Sequence, residues 1–336
     1  MAFIKNKDEI KKYAGITDST NVGSMMPDIV DVEENKILPI LGATLYNSLS
    51  AAYVANSITA NSLEDKLLKK IQKALVNIAL EQYSSLAQLD FSDSGIRQIE
   101  DQTFKSPKQW QIDDLRDYFF MKGYRAIDEL LEFLEENKAT FTTWVSDSKA
   151  YTINKKFIVS DTKSFQQFYD IKDSRLTFIA LQPTMRIIEM MNIMPNISPA
   201  LFTRIKNQIA SNAITSDIQN ILELLQLAIT QFTIERAIDT KIIDLSKDGV
   251  YSRNYRANTD NAREKMKADI SDRELAKKSC LQTAELAMEN LRKFLNANAS
   301  ISLYPEYFAS SLYVAPPTGA DNAAYENLST DKIYYA

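Results

Sequence analysis

The sequence predicts a mainly α fold: two duplicated helical-bundle modules, a short β-containing connecting segment and an extended C-terminal arm. Three observations carry that reading. Residues 68–96 align without a gap on residues 222–250, and seven of the 29 pairs are identical: Leu68/Leu222, Gln72/Gln226, Ala74/Ala228, Glu81/Glu235, Asp90/Asp244, Ser92/Ser246 and Gly95/Gly249. Ordinary amino-acid usage gives roughly two identities over such a length. Glycine and proline are scarce, at 7 and 9 in 336 residues, while 45% of residues are hydrophobic. The last stretch, residues 299–336, changes texture, with six tyrosines among the prolines that exclude a continuous helix.

The repeat extends beyond the aligned core. Upstream, with the register shifted by two, Glu33, Ile37, Pro39, Leu45, Tyr46 and Leu49 face Glu189, Ile193, Pro195, Leu201, Phe202 and Ile205. Downstream, Ala126, Leu130, Phe133, Leu134 and Asn137 face Ala287, Leu291, Phe294, Leu295 and Asn298. Two long units make a duplication, whereas a solenoid needs at least three short ones. The organisation is therefore a first module over 1–137, a connecting segment over 138–174, a second module over 175–298 and an arm over 299–336.

In chain order, a first helix is predicted over Lys7–Tyr13 with Asn6 as its cap, followed by a loop rich in turn formers up to Pro27. A helix over Asp28–Lys36 leads into an I-x-P step. Leu41, Leu45, Leu49 and Tyr53 then form an i, i+4 stripe. Ser62 starts the next helix, whose apolar side is Leu67, Leu68, Ile71, Leu75, Ile78 and Ala79, ending near Leu86–Leu89. Gln111–Glu136 reads as one long helix, with Leu115, Phe119, Ile127, Leu130, Leu131, Phe133 and Leu134 inward. Residues 140–159 are rich in Thr, Val, Tyr and other aromatics, which predicts short strands. Ser160 or Asp161 caps a helix through Phe168, and the second module starts near Arg175. The arm, with Tyr304, Tyr307, Phe308, Tyr313, Tyr334 and Tyr335 as candidate interface residues, is expected to lie on a neighbouring subunit or on its own second module.

Composition narrows the function. The chain has no histidine, which removes the usual general base near neutral pH and the commonest metal ligand. The single cysteine, Cys280, excludes an intrachain disulfide and fits a reducing compartment. A net charge of −5 argues against broad binding to nucleic-acid phosphates. No run of 18 apolar residues occurs, and the N-terminal stretch lacks the apolar core of a secretory signal.

The repeated turns DFSDSG and DLSKDG place Asp, Ser and Gly at positions 1, 3 and 6, as a calcium loop opens. The twelfth position, however, is Asp101 in one copy and Tyr255 in the other, where a bidentate glutamate belongs. The structural reading takes Asp90, Ser92, Gly95, Asp244, Ser246 and Gly249 as turn residues only, with no metal, cofactor or catalytic residue assigned. Carboxylate pairs such as Glu33/Glu34, Glu64/Asp65, Asp113/Asp114 and Glu135/Glu136 read as solvated helix faces. The basic stretch RNYRANTDNAREKMK reads as a loop after the turn, and the methionines of MRIIEMMNIMP as core or adaptable interface.

Taken together, the acidic helix leading into ILPILGATLY, the LLKKIQKALVNIAL helix, DFSDSGI and the closing GYRAIDELLEFLEEN resemble a family of phage and prophage proteins from Bacteroidetes, in particular the head–tail connector (adaptor, or neck ring) proteins of crAss-like phages. The resemblance covers roughly residues 25–300. It implies a helical-bundle adaptor fold and a virion structural role. It further implies a homo-oligomeric ring, commonly of about twelve copies, stacked between portal and tail proteins around the DNA channel. DNA then passes with non-specific contact at most, no membrane is involved, and the protein resides in the virion neck after assembly in the host cytoplasm. The two rival readings are a non-viral helical protein-interaction scaffold and an enzyme that works without histidine.

Overall fold

The computed structural model describes residues 3–16, 22–84, 86–87, 89–92, 95–98, 108–148, 156–239, 245–246, 249–250 and 270–316. Its helices divide into two cores that follow the duplication. The first module holds α1 (Lys7–Lys11), a 3-10 turn (Val22–Met25), α2 (Met26–Val32), a π-turn π1 (Glu33–Ile37), α3 (Leu38–Leu41), α4 (Ala43–Val54), α5 (Leu63–Tyr83), a hairpin of β1 (Leu89–Ser92) and β2 (Gly95–Gln98), α6 (Gln109–Glu136) and α7 (Thr142–Asp147). The second repeats the order: α8 (Thr162–Gln166), α9 (Arg175–Ile188), π2 (Glu189–Ile193), α10 (Met194–Ile197), α11 (Pro199–Ser211), α12 (Ser216–Asp239), a hairpin of β3 (Leu245–Ser246) and β4 (Gly249–Val250), α13 (Ile270–Asn298) and α14 (Pro305–Phe308).

Local chemistry sets the starts of the helices. Asn6 accepts from the Glu9 N–H, Ser62 from Asp65, Asp161 from Ser164 and Ser174 from Thr177, each satisfying a donor that the first turn leaves open. The I-x-P step is a π-turn in both modules. Pro39 and Pro195 bring no N–H, and the residue before each, Leu38 and Met194, donates five residues back, to the carbonyls of Glu33 and Glu189. Four residues later the chain breaks at Gly42 (φ 77°) and Ser198 (φ 71°) and a new helix begins. Glycine is required at the first of these positions twice over. Its φ is left-handed, and a Cβ there would meet the backbone of Asp147 and Ser148 at 3.2 Å.

The long antiparallel pairs α5/α6 and α12/α13 form the body of each module. Leu67, Ile71, Leu75 and Ile78 face Ile127, Leu130 and Leu134 in the first; Ile221, Leu225, Ile229 and Phe232 face Ala284, Leu291 and Leu295 in the second. Gly123 lets α6 approach α5 closely, since a Cβ there would sit 2.5 Å from Ile78 Cγ1.

The structure corrects the sequence reading at four places. The described residues of the connecting segment contain no strand; they form α7, a turn and α8. That segment is also divided between the cores: Phe141 and Trp144 are buried in the first, and Phe157, Ile158, Val159 and Phe165 in the second. An extended arm reaching a neighbouring subunit fails for residues 299–314, which take the other expected placement, their own second module: Tyr304 and Tyr307 are wholly buried in its core and Phe308 and Tyr313 pack against it. Leu115, expected inward, is exposed and lies on the outer side of α6, between the buried Ile112 and Phe119, which packs against the core.

Candidate functional site

The duplicated feature with the most specific geometry is a buried polar clamp in each module. In the first, Glu33 on π1 is buried and its Oε2 accepts the Phe3 N–H at 3.0 Å, while Gln72 on α5 donates from Nε2 to the Phe3 carbonyl at 2.9 Å. In the second, Glu189 on π2 accepts the Ile158 N–H at 2.6 Å, and Gln226 on α12 donates to the Ile158 carbonyl at 3.3 Å. One carboxylate and one carboxamide thus hold both backbone groups of a residue that lies outside any helix. Such a segment could not enter the core with those groups unpaired. The clamped residues, Phe3 and Ile158, each stand three positions before the cap of a short helix, Asn6 and Asp161.

The second partner of the glutamate differs. Tyr46 donates to Glu33 Oε1 at 2.6 Å. The equivalent residue in the second module, Phe202, has no hydroxyl. There Lys206, one turn further along α11, pairs with Glu189 and lies 5.4 Å from the rings of both Phe157 and Phe202. Burial raises the carboxyl pKa of Glu33 and of Glu189 above the ordinary value, against the opposing pull of these partners. The Tyr46 hydroxyl is pushed well up, first by burial and then by the carboxylate that it serves.

The modules are joined by a second polar assembly. Asp128 on α6 accepts from the Leu176 N–H and from Ser174 Oγ, each at 2.9 Å, so the first module caps the opening helix of the second. Beside it the Arg175 side chain, 5% exposed, reaches Glu132, Glu135 and Asp173 at 3.2–3.5 Å. Leu176 and Ile179 pack into the first core from this same helix. After each closing helix a short helix then folds back on the π-turn region. Trp144 Nε1 and Ser148 Oγ both donate to the Ile40 carbonyl in the first module. In the second, Tyr304 donates to the Asp217 carbonyl and Ser198 Oγ to the Glu306 carbonyl, with Arg204 bridging Asp217 and Glu306.

The residues singled out from sequence fall as follows. Ser92 pairs with Gly95, and Asp90 with Arg97, in the β1–β2 ladder; Ser246 pairs with Gly249 in β3–β4. Ser92 and Gly95, like Ser246 and Gly249, are the last pair before the strands connect, at positions where a turn was expected. Asp244, Asp101, Tyr255, the basic stretch 253–267, Tyr334 and Tyr335 lie outside the described residues. Tyr304 and Tyr307 are core, and burial holds the Tyr304 hydroxyl up at about 12. Of the Glu33/Glu34 pair only Glu33 is buried. Cys280 is buried, and burial raises its thiol pKa. The methionine cluster splits: Met185 is wholly buried, whereas Met190 and Met191 are 51% and 70% exposed. Sequence reasoning aligned Glu33 with Glu189 and Gln72 with Gln226, but it read Glu33 as part of a solvated helix face, which its burial corrects, and gave the others no role. The helix caps Asn6 and Asp161, each three residues after the clamped position, were the signal that a third strip of chain belongs to each module.

Among the described residues no group of three or more acidic or cysteine side chains is placed to hold a metal ion, and no helix is long and apolar enough to cross a membrane. Comparison with protein families matches the chain twice to one model, the family of unknown function DUF6712, over residues 37–153 and 193–316. Each match begins at the end of a π-turn and runs through the short helix that closes the module, α7 or α14. No curated protein and no solved structure matches the chain.

Proposed function

Because the chain belongs to the DUF6712 family through both of its halves, we propose that it is a structural building block: a virion head–tail connector subunit, forming a ring with copies of itself between the portal and the tail. The observation that carries this reading is how the buried and half-buried ionisable groups are used. Glu33, Glu189, Asp128 and Arg175 are each engaged in backbone or ion-pair bonds that hold the modules' own segments, which is the use that a rigid assembly unit makes of buried charge. The resemblance of the acidic helix, the ILPILGATLY step and the closing helix to the connector proteins of crAss-like phages supplies the location. Two linked modules of one fold give each subunit two sets of surfaces, and a ring is built from unlike surfaces meeting head to tail. The net charge of −5 suits a channel through which DNA slides without being held. On this reading the protein performs no catalysis, uses no cofactor and works in the virion.

Quantitative mass spectrometry of purified particles tests it. A copy number equal to that of the portal, about twelve, supports the neck ring. Absence of the chain from particles overturns it and leaves the protein-interaction scaffold.

A further inference from the structure

The two modules differ in character at equivalent positions on the exposed face of the second π-turn. Ile187, Met190 and Met191 are 39%, 51% and 70% exposed and follow one another on adjoining turns of α9 and π2. In the first module the matching positions, counted from Glu33 against Glu189, are Asp31, Glu34 and Asn35, all exposed and polar. The two modules share the π-turn, the clamp and the core, so the fold itself does not call for apolar residues here. An unbranched methionine pair adapts to an incoming surface and makes sulfur–aromatic contacts.

The chain itself carries a segment of matching chemistry. Residues 318–336 hold three tyrosines (Tyr325, Tyr334 and Tyr335), Leu328 and Ile333 among Asp321, Glu326 and Asp331, with one lysine. A cation adjoins the methionine face: Arg186, exposed, precedes Ile187 and lies one helical turn before Met190. Extended, 19 residues reach about 60 Å, enough to cross a neighbouring module. We propose that this methionine face receives residues 318–336 of a second copy of this chain. The inference rests on the ring reading. One donor segment and one acceptor face per chain, on different parts of the surface, make a heterologous contact that closes into a ring. The first module, polar at the same place, offers no second acceptor.

The test uses the full-length chain with Met191→Cys in one preparation and Tyr334→Cys in another, the native Cys280 being buried. Mild oxidation of the mixture is expected to give a reducible cross-link between two chains. Met190→Glu/Met191→Glu and deletion of 318–336 are each expected to weaken self-association tenfold or more in sedimentation, with helical circular dichroism unchanged. A full-length chain that stays single, a mixture of the two cysteine chains that gives no reducible cross-link between them, or assembly that survives the deletion each overturns the docking. Portal-level copy number in particles without the cross-link removes this docking and leaves the ring; the cross-link with absence from particles does the reverse.

Discussion

At the scale of single residues, the Glu–Gln clamps make the sharpest claims. Gln72→Met and Gln226→Met keep the side-chain volume but orphan the carbonyls of Phe3 and Ile158. Each is expected to lower unfolding free energy by about 1–3 kcal/mol in urea titrations, and the two losses should add, since the clamps lie in separate cores. Burial raises the folded-state pKa of Glu33 and Glu189 above 4.5. A carboxyl with a raised folded pKa keeps its proton longer in the folded chain than in the unfolded one. Its contribution is therefore full below 4.5 and is lost as pH climbs through the raised values. Lys206→Met removes the cation that lowers the Glu189 pKa, so the fall in stability above 4.5 should steepen, by roughly 1–2 kcal/mol per carboxyl affected. Thermal unfolding followed across that range measures it, and an unchanged slope would show that Lys206 does not act on Glu189.

Elements depend on positions where the backbone has no freedom. Gly42→Ala forces a Cβ onto a left-handed φ and into the backbone of the α7 terminus; a loss of about 1–3 kcal/mol is expected in chemical denaturation. Asp128→Ala removes the cap that the first module places on α9, and is expected to cost about 1–2 kcal/mol. Hydrogen exchange should quicken in the first turn of α9 before anywhere else in the second module. The helices themselves were legible in the sequence, since caps such as Asn6, Ser62 and Asp161 and the i, i+4 stripes are local signals. Residues 140–159 were not. Trp144 and Phe157–Val159 have the composition of strands, but tertiary burial in two different cores decides their conformation. The hidden polar partners were illegible for a related reason, as a buried Glu33 and a solvated Glu34 are the same residue type side by side.

Considering the whole molecule, the duplication was legible because seven identities in an ungapped stretch survive without any knowledge of packing. Its true extent was not. Each module begins with a clamped segment and ends in a short helix folded back on the π-turn region; the second clamped segment and both short helices lie in sequence that composition alone assigns to linker or arm. The tyrosines at the end of the chain signal burial without naming the surface that buries them. For Tyr304 and Tyr307 that surface is their own module. Deletion of residues 301–336 is therefore expected to unfold the second module, since it removes two aromatic side chains worth about 3–5 kcal/mol each in a core. Deletion of 318–336 should leave the helical signal intact, and circular dichroism distinguishes the two outcomes.

The central claim, that this duplicated helical chain is a ring subunit at the neck of a virus particle, is tested most directly by a cryo-electron-microscopy reconstruction of that neck. The account predicts a closed ring between portal and tail into which both modules fit, with their π-turns and short closing helices resolved. A neck whose density is fully explained by other chains, with neither module present, would contradict it.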